Sequence, residues 1–406
     1  MTTTARTDPA TDDLTQPPAD PAGHEQVRPF APDVPQAALD DLRRRLQQTR
    51  WPDPETVDDS SQGPRLSRLQ ALVEHWRDRY AWRRCEALLA GLGQSVTTID
   101  GLDIHFLHVR SPEPGALPLV LTHGWPGSVL EFRHVIGPLT DPVAHGGRAE
   151  DAFHVVVPSL PGFGFSGRPT GTGWGLARTA AAWSTLVQRL GYDRWVAQGG
   201  DWGAAVTTVL AHMGPGGLAG IHLNLVAFRP TAEEVAAATP HEQRMLDDAA
   251  RYGRELSAYM PLQATRPQTI GYSLADSPVG QAAWIYAMFQ DVSDSGGDAE
   301  SVFTLDEMLD DITLYWLTNT AASSARLYWE AMGPGAAGPP PSGPVTLPTG
   351  ISMFPAEQVR LSRRWAESRF SSLVHFDELE AGGHFAALEQ PALFVDQLRT
   401  TFRGLR

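Results

Sequence analysis

A single cysteine, Cys85, occurs in 406 residues, which excludes an intramolecular disulfide and any metal site built from thiolates alone. Its Arg- and Leu-containing surroundings suit an inert, half-buried thiol on a helix. No apolar run is long enough to span a bilayer. Residues 1–26, rich in Thr, Pro, Asp and Ala, lack the apolar stretch of a signal peptide and read as a disordered tail. Basic residues are outnumbered, 32 against 47 acidic ones, and the net charge of −15 argues against nucleic acid or another polyanion as partner. The dense basic run Arg43-Arg44-Arg45 lies on a short amphipathic helix beside Asp40 and Asp41 and reads as a solvated face. A cytoplasmic protein, off the membrane and without metal or cofactor, is the expectation.

What is present is enough chain for one large core with additions. Residues 27–95 read as a helical region in which Trp76, Tyr80, Trp82 and Leu88 supply a face that wraps the core. Residues 96–226 alternate strands and helices, with hairpin character around Asp100-Gly101 and a buried strand at Val155-Val156-Val157. Residues 227–332 turn mostly helical, as expected of a lid inserted between strands. A Gly/Pro-rich linker, 333–348, returns the chain to a second part of the core over 349–406. The expected class is α/β, a mostly parallel central sheet flanked by helices, with a helical lid and an N-terminal helical extension.

The chemistry centres on Gln198-Gly199-Gly200-Asp201-Trp202-Gly203, where an aspartate stands at the serine position of a G-x-S-x-G nucleophile elbow. A serine alkoxide attacks acyl carbon, whereas a carboxylate displaces a leaving group from saturated carbon and remains as an alkyl ester that water can hydrolyse. Epoxides and alkyl halides are the matching substrates. Strand-like Arg194-Trp195-Val196-Ala197 before the turn and the Ala/Leu-rich stretch 204–213 after it fit a strand-to-helix elbow. The rest of a triad follows in the chain order nucleophile, acid, histidine: Glu357 ends Phe354-Pro355-Ala356-Glu357, and His384 lies in Gly382-Gly383-His384-Phe385. Leu117–Thr122 reads as a buried strand leading into His123-Gly124-Trp125-Pro126. The N–H groups of Trp125 and Trp202 are thus candidate oxyanion donors, and His123 is a loop-shaping residue, not a base.

These motifs resemble those of the bacterial epoxide hydrolases of the microsomal type, members of the α/β-hydrolase superfamily with an extra N-terminal region. The likeness covers nearly everything after about residue 26 and rests on His123-Gly124-Trp125-Pro126, Gly199-Gly200-Asp201-Trp202-Gly203, Phe354-Pro355-Ala356-Glu357 and Gly382-Gly383-His384-Phe385-Ala386-Ala387. It implies a cis peptide before Pro126 and two lid tyrosines that protonate the epoxide oxygen. Tyr259, standing ahead of Gln263–Thr269 and Asp276–Gly280, and Tyr328, in Ser323–Tyr328, are the matching positions. Tyr252, Tyr272, Tyr286 and Tyr315 lack such flanks and read as lid or core packing, while Trp284, Trp316 and Trp329 are expected to line or brace the lid.

The resemblance implies conversion of a small apolar or aryl epoxide and water to a vicinal diol, without cofactor or metal, by a protein whose relatives suggest a homodimer. Here the expectation departs from the membrane-anchored animal relatives, toward a protein off the membrane. Two alternatives are a haloalkane dehalogenase-like hydrolase, disfavoured by the paired tyrosines, and a non-catalytic small-molecule-binding relative, disfavoured by the complete set of catalytic residue types.

Overall fold

The computed structural model of the protein describes residues 26–338 and 343–406. The tail expected over 1–26 therefore lies outside the described residues except for its last position, as do residues 339–342 of the linker. Nine strands, β1 (Arg28–Pro29), β2 (Gln94–Ile99), β3 (Leu102–Val109), β4 (Leu117–Thr122), β5 (Phe153–Pro158), β6 (Trp195–Gly199), β7 (Leu218–Leu223), β8 (Thr349–Met353) and β9 (Leu373–Glu378), form one sheet. Their order is β1-β2-β3-β5-β4-β6-β7-β8-β9. The first three run antiparallel to their neighbours and β5 through β9 are mutually parallel.

The central strands read as continuous buried runs because helices cover both faces, as parallel sheets require. Every residue of β6 and of β8 is buried. The β2–β3 hairpin turns through Asp100 (φ 51°) and Gly101 (φ 78°), the doubly left-handed geometry of a two-residue turn that an Asp-Gly pair favours. Helices Leu176–Arg189, Asp201–Met213 and Pro391–Phe402 flank the sheet, and Trp183 Nε1 donates to Thr122 Oγ1 at 3.1 Å, tying one of them to the end of β4.

Between β7 and β8 the chain leaves the sheet for a helical layer that includes Pro240–Glu255, Tyr259–Thr265, Pro267–Asp276, Pro278–Asp291, Leu305–Thr318 and Ala321–Met332. Proline at the first helical position starts three of these helices, where its missing N–H costs nothing. Reciprocal Thr/Glu capping boxes start Pro240–Glu255 and Leu305–Thr318. The N-terminal helices bury narrow stripes, Leu39, Leu42 and Leu46 on Gln36–Gln47 and Leu69, Leu72, Val73 and Trp76 on Leu66–Asp78, at the spacing of one helix face. They are pinned to the helical layer through Asp310, which is fully buried. Its carboxylate accepts from Tyr80 Oη at 2.8 Å, Arg84 at 2.7 Å and Arg133 at 2.7 Å.

Three local readings change. Cys85 is fully buried, not half-buried, on the inner face of the helix Trp82–Ala90. Arg45 is more than a solvated charge, since its guanidinium donates to the Asp276 carbonyl at 2.9 Å and bridges the N-terminal helix to the helical layer. The described end of the linker is held by the core: Val345 donates to Arg369 O at 2.8 Å and accepts from Ser371 N at 2.9 Å. Composition does not reveal this attachment, because the bonds use backbone groups that every residue carries.

Candidate active site

Sheet register sets the site. Thr122 at the end of β4 is paired with Gly199 at the end of β6, and Gly199 with Leu223 of β7, so the loops that follow open at one edge, the C-terminal ends of parallel strands. The chain turns from β6 into the helix Asp201–Met213 through Asp201 at φ 46°, a left-handed conformation that side-chain-bearing residues rarely adopt. Two glycines allow the close packing. A Cβ at Gly203 would lie 1.9 Å from the Thr122 carbonyl oxygen, and one at Gly124 would lie 2.2 Å from Asp201 Oδ1. The helix N-terminus and the His123–Pro126 loop can therefore approach each other only without side chains at those points.

Asp201 Oδ1 accepts the Trp125 N–H at 2.8 Å, and the Trp202 amide also bears on this carboxylate. Burial pushes the Asp201 carboxyl up, while the charge of His384 and the two amides pull it back. His384 sits between β9 and the helix Ala386–Glu389, its backbone N donating to Val292 O at 3.0 Å. Its Nε2 is 3.6 Å from Asp201 Oδ2, and its Nδ1 is 2.9 Å from Glu357 Oε2. Glu357, buried after β8, is braced by the Gln358 N–H on its other oxygen at 2.8 Å. Burial opposes a charge on His384, but the Glu357 carboxylate, with Asp201 and Glu131 beyond it, outweighs this and its pKa rises to about 10.

Above the carboxylate stands an aromatic wall. The Tyr259 ring stacks on Trp125 at 4.9 Å between centroids, and Tyr328 meets Trp202 edge-on at 4.7 Å and Tyr259 at 6.0 Å. Burial first, then the neighbouring carboxylate and phenols, hold both hydroxyls well above the usual tyrosine range, so both keep their protons. All seven residues singled out from the sequence, Asp201, His384, Glu357, Tyr259, Tyr328, Trp125 and Trp202, thus line one site. The Trp125–Pro126 peptide is cis. His123 donates through Nδ1 to Gly124 O at 2.9 Å and accepts the Leu160 N–H on Nε2 at 3.2 Å. Burial lowers its pKa to about 4, and as a neutral ring with both nitrogens engaged it shapes the loop.

Two residues were not legible as site residues. Tyr252, read as packing, places its hydroxyl 2.6 Å from that of Tyr259. Glu131, in the short 3-10 turn Val129–Phe132 that follows the His123–Pro126 loop, is half-buried, and desolvation of its carboxyl pushes its pKa up to about 8, with His384, Asp311 and Asp201 close enough to bear on it. A carboxyl between Leu130 and Phe132 was the available signal for the second. Of the tryptophans, Trp329 packs on Gly335 and Trp316 lies under the Arg45 guanidinium at 5.6 Å, both bracing contacts. A groove of about 830 Å³ lies elsewhere, lined by Trp51, Pro64, Pro278 and Val279 among others, and contains none of the seven. Among the described residues no three His, Cys, Asp or Glu side chains are grouped to hold a metal ion.

The chain matches two family models, "Epoxide hydrolase N terminus" over residues 27–132 and "alpha/beta hydrolase fold" over residues 118–260. It is 59% identical over 380 residues to a "Putative epoxide hydrolase" of Stigmatella aurantiaca, covering 94% of this chain and 86% of that protein. Epoxide hydrolase 1 of Sus scrofa is 34% identical, with 95% of this chain and 90% of that protein covered. Among solved structures, the juvenile hormone epoxide hydrolase of Bombyx mori superposes with a TM-score of 0.85 at 28% identity, over 94% of this chain and 96% of that one. The Aspergillus niger epoxide hydrolase gives 0.83 at 29% identity, over 94% and 97%.

Proposed function

The chain belongs to the epoxide hydrolase family of the α/β-hydrolase fold, and from that premise we propose how it converts an epoxide and water to a vicinal diol. Asp201 Oδ2 attacks one ring carbon. The C–O bond breaks toward the epoxide oxygen, which takes a proton from the Tyr259 and Tyr328 pair, and an alkyl ester of Asp201 forms. Esterification removes the Asp201 charge that helps hold the proton on His384. That proton then passes to the phenolate and leaves a neutral imidazole.

Neutral His384, oriented by Glu357, takes a proton from water as the oxygen attacks Cγ of Asp201. The negative charge develops on Oδ1, which already accepts the Trp125 N–H, and each such donor is worth about 3 kcal/mol of barrier. Collapse expels the alcohol oxygen, which takes the proton from the regenerated carboxyl, and leaves Asp201 ionised beside charged His384. The observation that carries this reading is the two-sided hold on Asp201, one oxygen on the Trp125 amide at 2.8 Å and the other facing His384 at 3.6 Å.

The aromatic wall of Trp125, Trp202, Tyr259 and Tyr328 favours small apolar or aryl epoxides, because it offers rings and two hydroxyls and no charge apart from the triad. No helix among the described residues is long and apolar enough to cross a membrane.

The test is a single turnover of styrene oxide in heavy-oxygen water, with a haloalkane control and a His384→Gln variant. Ordinary oxygen in the first diol, label in Asp201 and accumulation of the ester in His384→Gln are expected. Label entering the diol directly, or absence of ester in His384→Gln, refutes the mechanism.

A further inference from the structure

The helix Pro240–Glu255 ends one turn beyond Tyr252, and the next helix begins at Tyr259. The amides of Leu256 and Ser257 both bond back to the Tyr252 carbonyl, at 3.0 and 3.1 Å, which folds the connection tightly. The seven-residue spacing then brings the two phenol hydroxyls to 2.6 Å. Tyr252 has one other polar neighbour within reach, Met260 Sδ at 3.7 Å, a weak acceptor. Its ring is half-buried in the layer over Asp201.

A phenol carries one proton, so only one of the two hydroxyls can donate in the bond they share. In the reaction proposed above, on which this inference rests, Tyr259 directs its proton to the epoxide oxygen. The bond then survives only with Tyr252 as donor. As the ring opens and the Tyr259 proton moves, negative charge builds on Tyr259 Oη, and a donor 2.6 Å away becomes more stabilising in the transition state than in the ground state.

We propose that Tyr252 is a positioning residue for the ring-opening step, a third hydroxyl that donates to Tyr259 and turns the Tyr259 proton toward the epoxide. Its loss should slow ester formation alone, because a Tyr259 phenolate without this donor is more basic and takes the His384 proton no less readily. Hydrolysis of the ester uses His384, Glu357 and the oxyanion amides, none of which bonds to Tyr252.

The test follows ester formation and ester hydrolysis separately by rapid-quench single turnover of styrene oxide in the wild type, Tyr252→Phe, Tyr259→Phe and the double variant. Loss of one hydrogen bond that strengthens in the transition state is expected to slow ester formation about fivefold to tenfold in Tyr252→Phe, with ester hydrolysis unchanged. In the Tyr259→Phe background the Tyr252→Phe change should slow nothing further. Slowing of both steps, or an undiminished effect without the Tyr259 hydroxyl, would show a packing role and overturn the inference. Replacement of Tyr252 by 3-fluorotyrosine, which preserves shape and makes a stronger donor, should accelerate ester formation; an unchanged or slower rate counts against it, and this arm stands even if Tyr252→Phe folds poorly. A wild type that forms no Asp201 ester overturns the reaction mechanism and this inference together, whereas a normal wild type with a normal Tyr252→Phe overturns this inference alone.

Discussion

Gly203→Ala should damage catalysis far more than one methyl group suggests. The new Cβ would lie 1.9 Å from Thr122 O, 2.6 Å from Thr122 C and 2.9 Å from His123 O, while ordinary contact begins near 3.4 Å, a shortfall of about 1.5 Å. All three atoms are backbone, and β4 is held on both sides by β5 and β6, so no side chain can swing away. The helix Asp201–Met213 must shift instead, and it begins at Asp201. Overpacking of this kind costs about 1–3 kcal/mol of stability. Displacement of the carboxylate by about 1 Å from the Trp125 amide and His384 should cost about a hundredfold or more in ester formation. Gly253→Ala, in the helix Pro240–Glu255 with nothing within 4 Å of the added methyl, is the control and should stabilise by about 0.5–1 kcal/mol. Urea unfolding and single-turnover ester formation read both variants. A Gly203→Ala protein with wild-type midpoint and wild-type ester formation would refute the claim that the elbow and the oxyanion loop are in forced contact.

Asp310→Ala should destabilise by about 3–5 kcal/mol in urea unfolding, because it leaves Arg133, whose side chain is 5% exposed, buried without its carboxylate; a loss below 1 kcal/mol would mean that this cluster does not bind the N-terminal helices to the helical layer. Glu242 is held down to about 2 by its bonds to Arg364, then Ser362 and the Thr239 cap, so its ionised form is favoured by folding. With the folded value below the ordinary 4.5, that stabilisation is complete above about pH 4.5 and disappears as pH falls through 2. Glu242→Gln should therefore cost about 1–2 kcal/mol at pH 7, moderated by the half-exposed Arg364, and the two proteins should converge toward pH 2. A difference that persists undiminished at pH 2 would exclude the charge as its cause.

Local pattern carried the elements whose causes are local. Asp100-Gly101 fits the hairpin, β6 reads as apolar before a Gly-flanked turn, and the alternation of strand and helix after residue 96 appears where the sheet forms. The part played by Tyr252 was not legible, because it depends on how one helix ends against the start of the next, and seven residues in sequence do not fix a 2.6 Å approach. Glu131 was hidden for a related reason. A carboxyl in a loop is ordinarily solvated, and only the tertiary packing that desolvates this one, with Asp311 and Asp201 nearby, lifts its pKa to about 8 against the charge of His384.

By itself, then, the sequence determined the α/β class and which residue types stand at the turn after β6, in the His123–Pro126 loop, after β8 and after β9, since each is written in short-range composition. Tertiary structure decided what those residues touch. The pairing of Thr122 with Gly199 brings two loops 76 residues apart into one hydrogen bond, Trp125 to Asp201, and the packing of the helical layer brings Tyr252, Tyr259 and Tyr328 over it. Such distances arise from sheet register and helix packing, to which many residues contribute and which no single segment encodes.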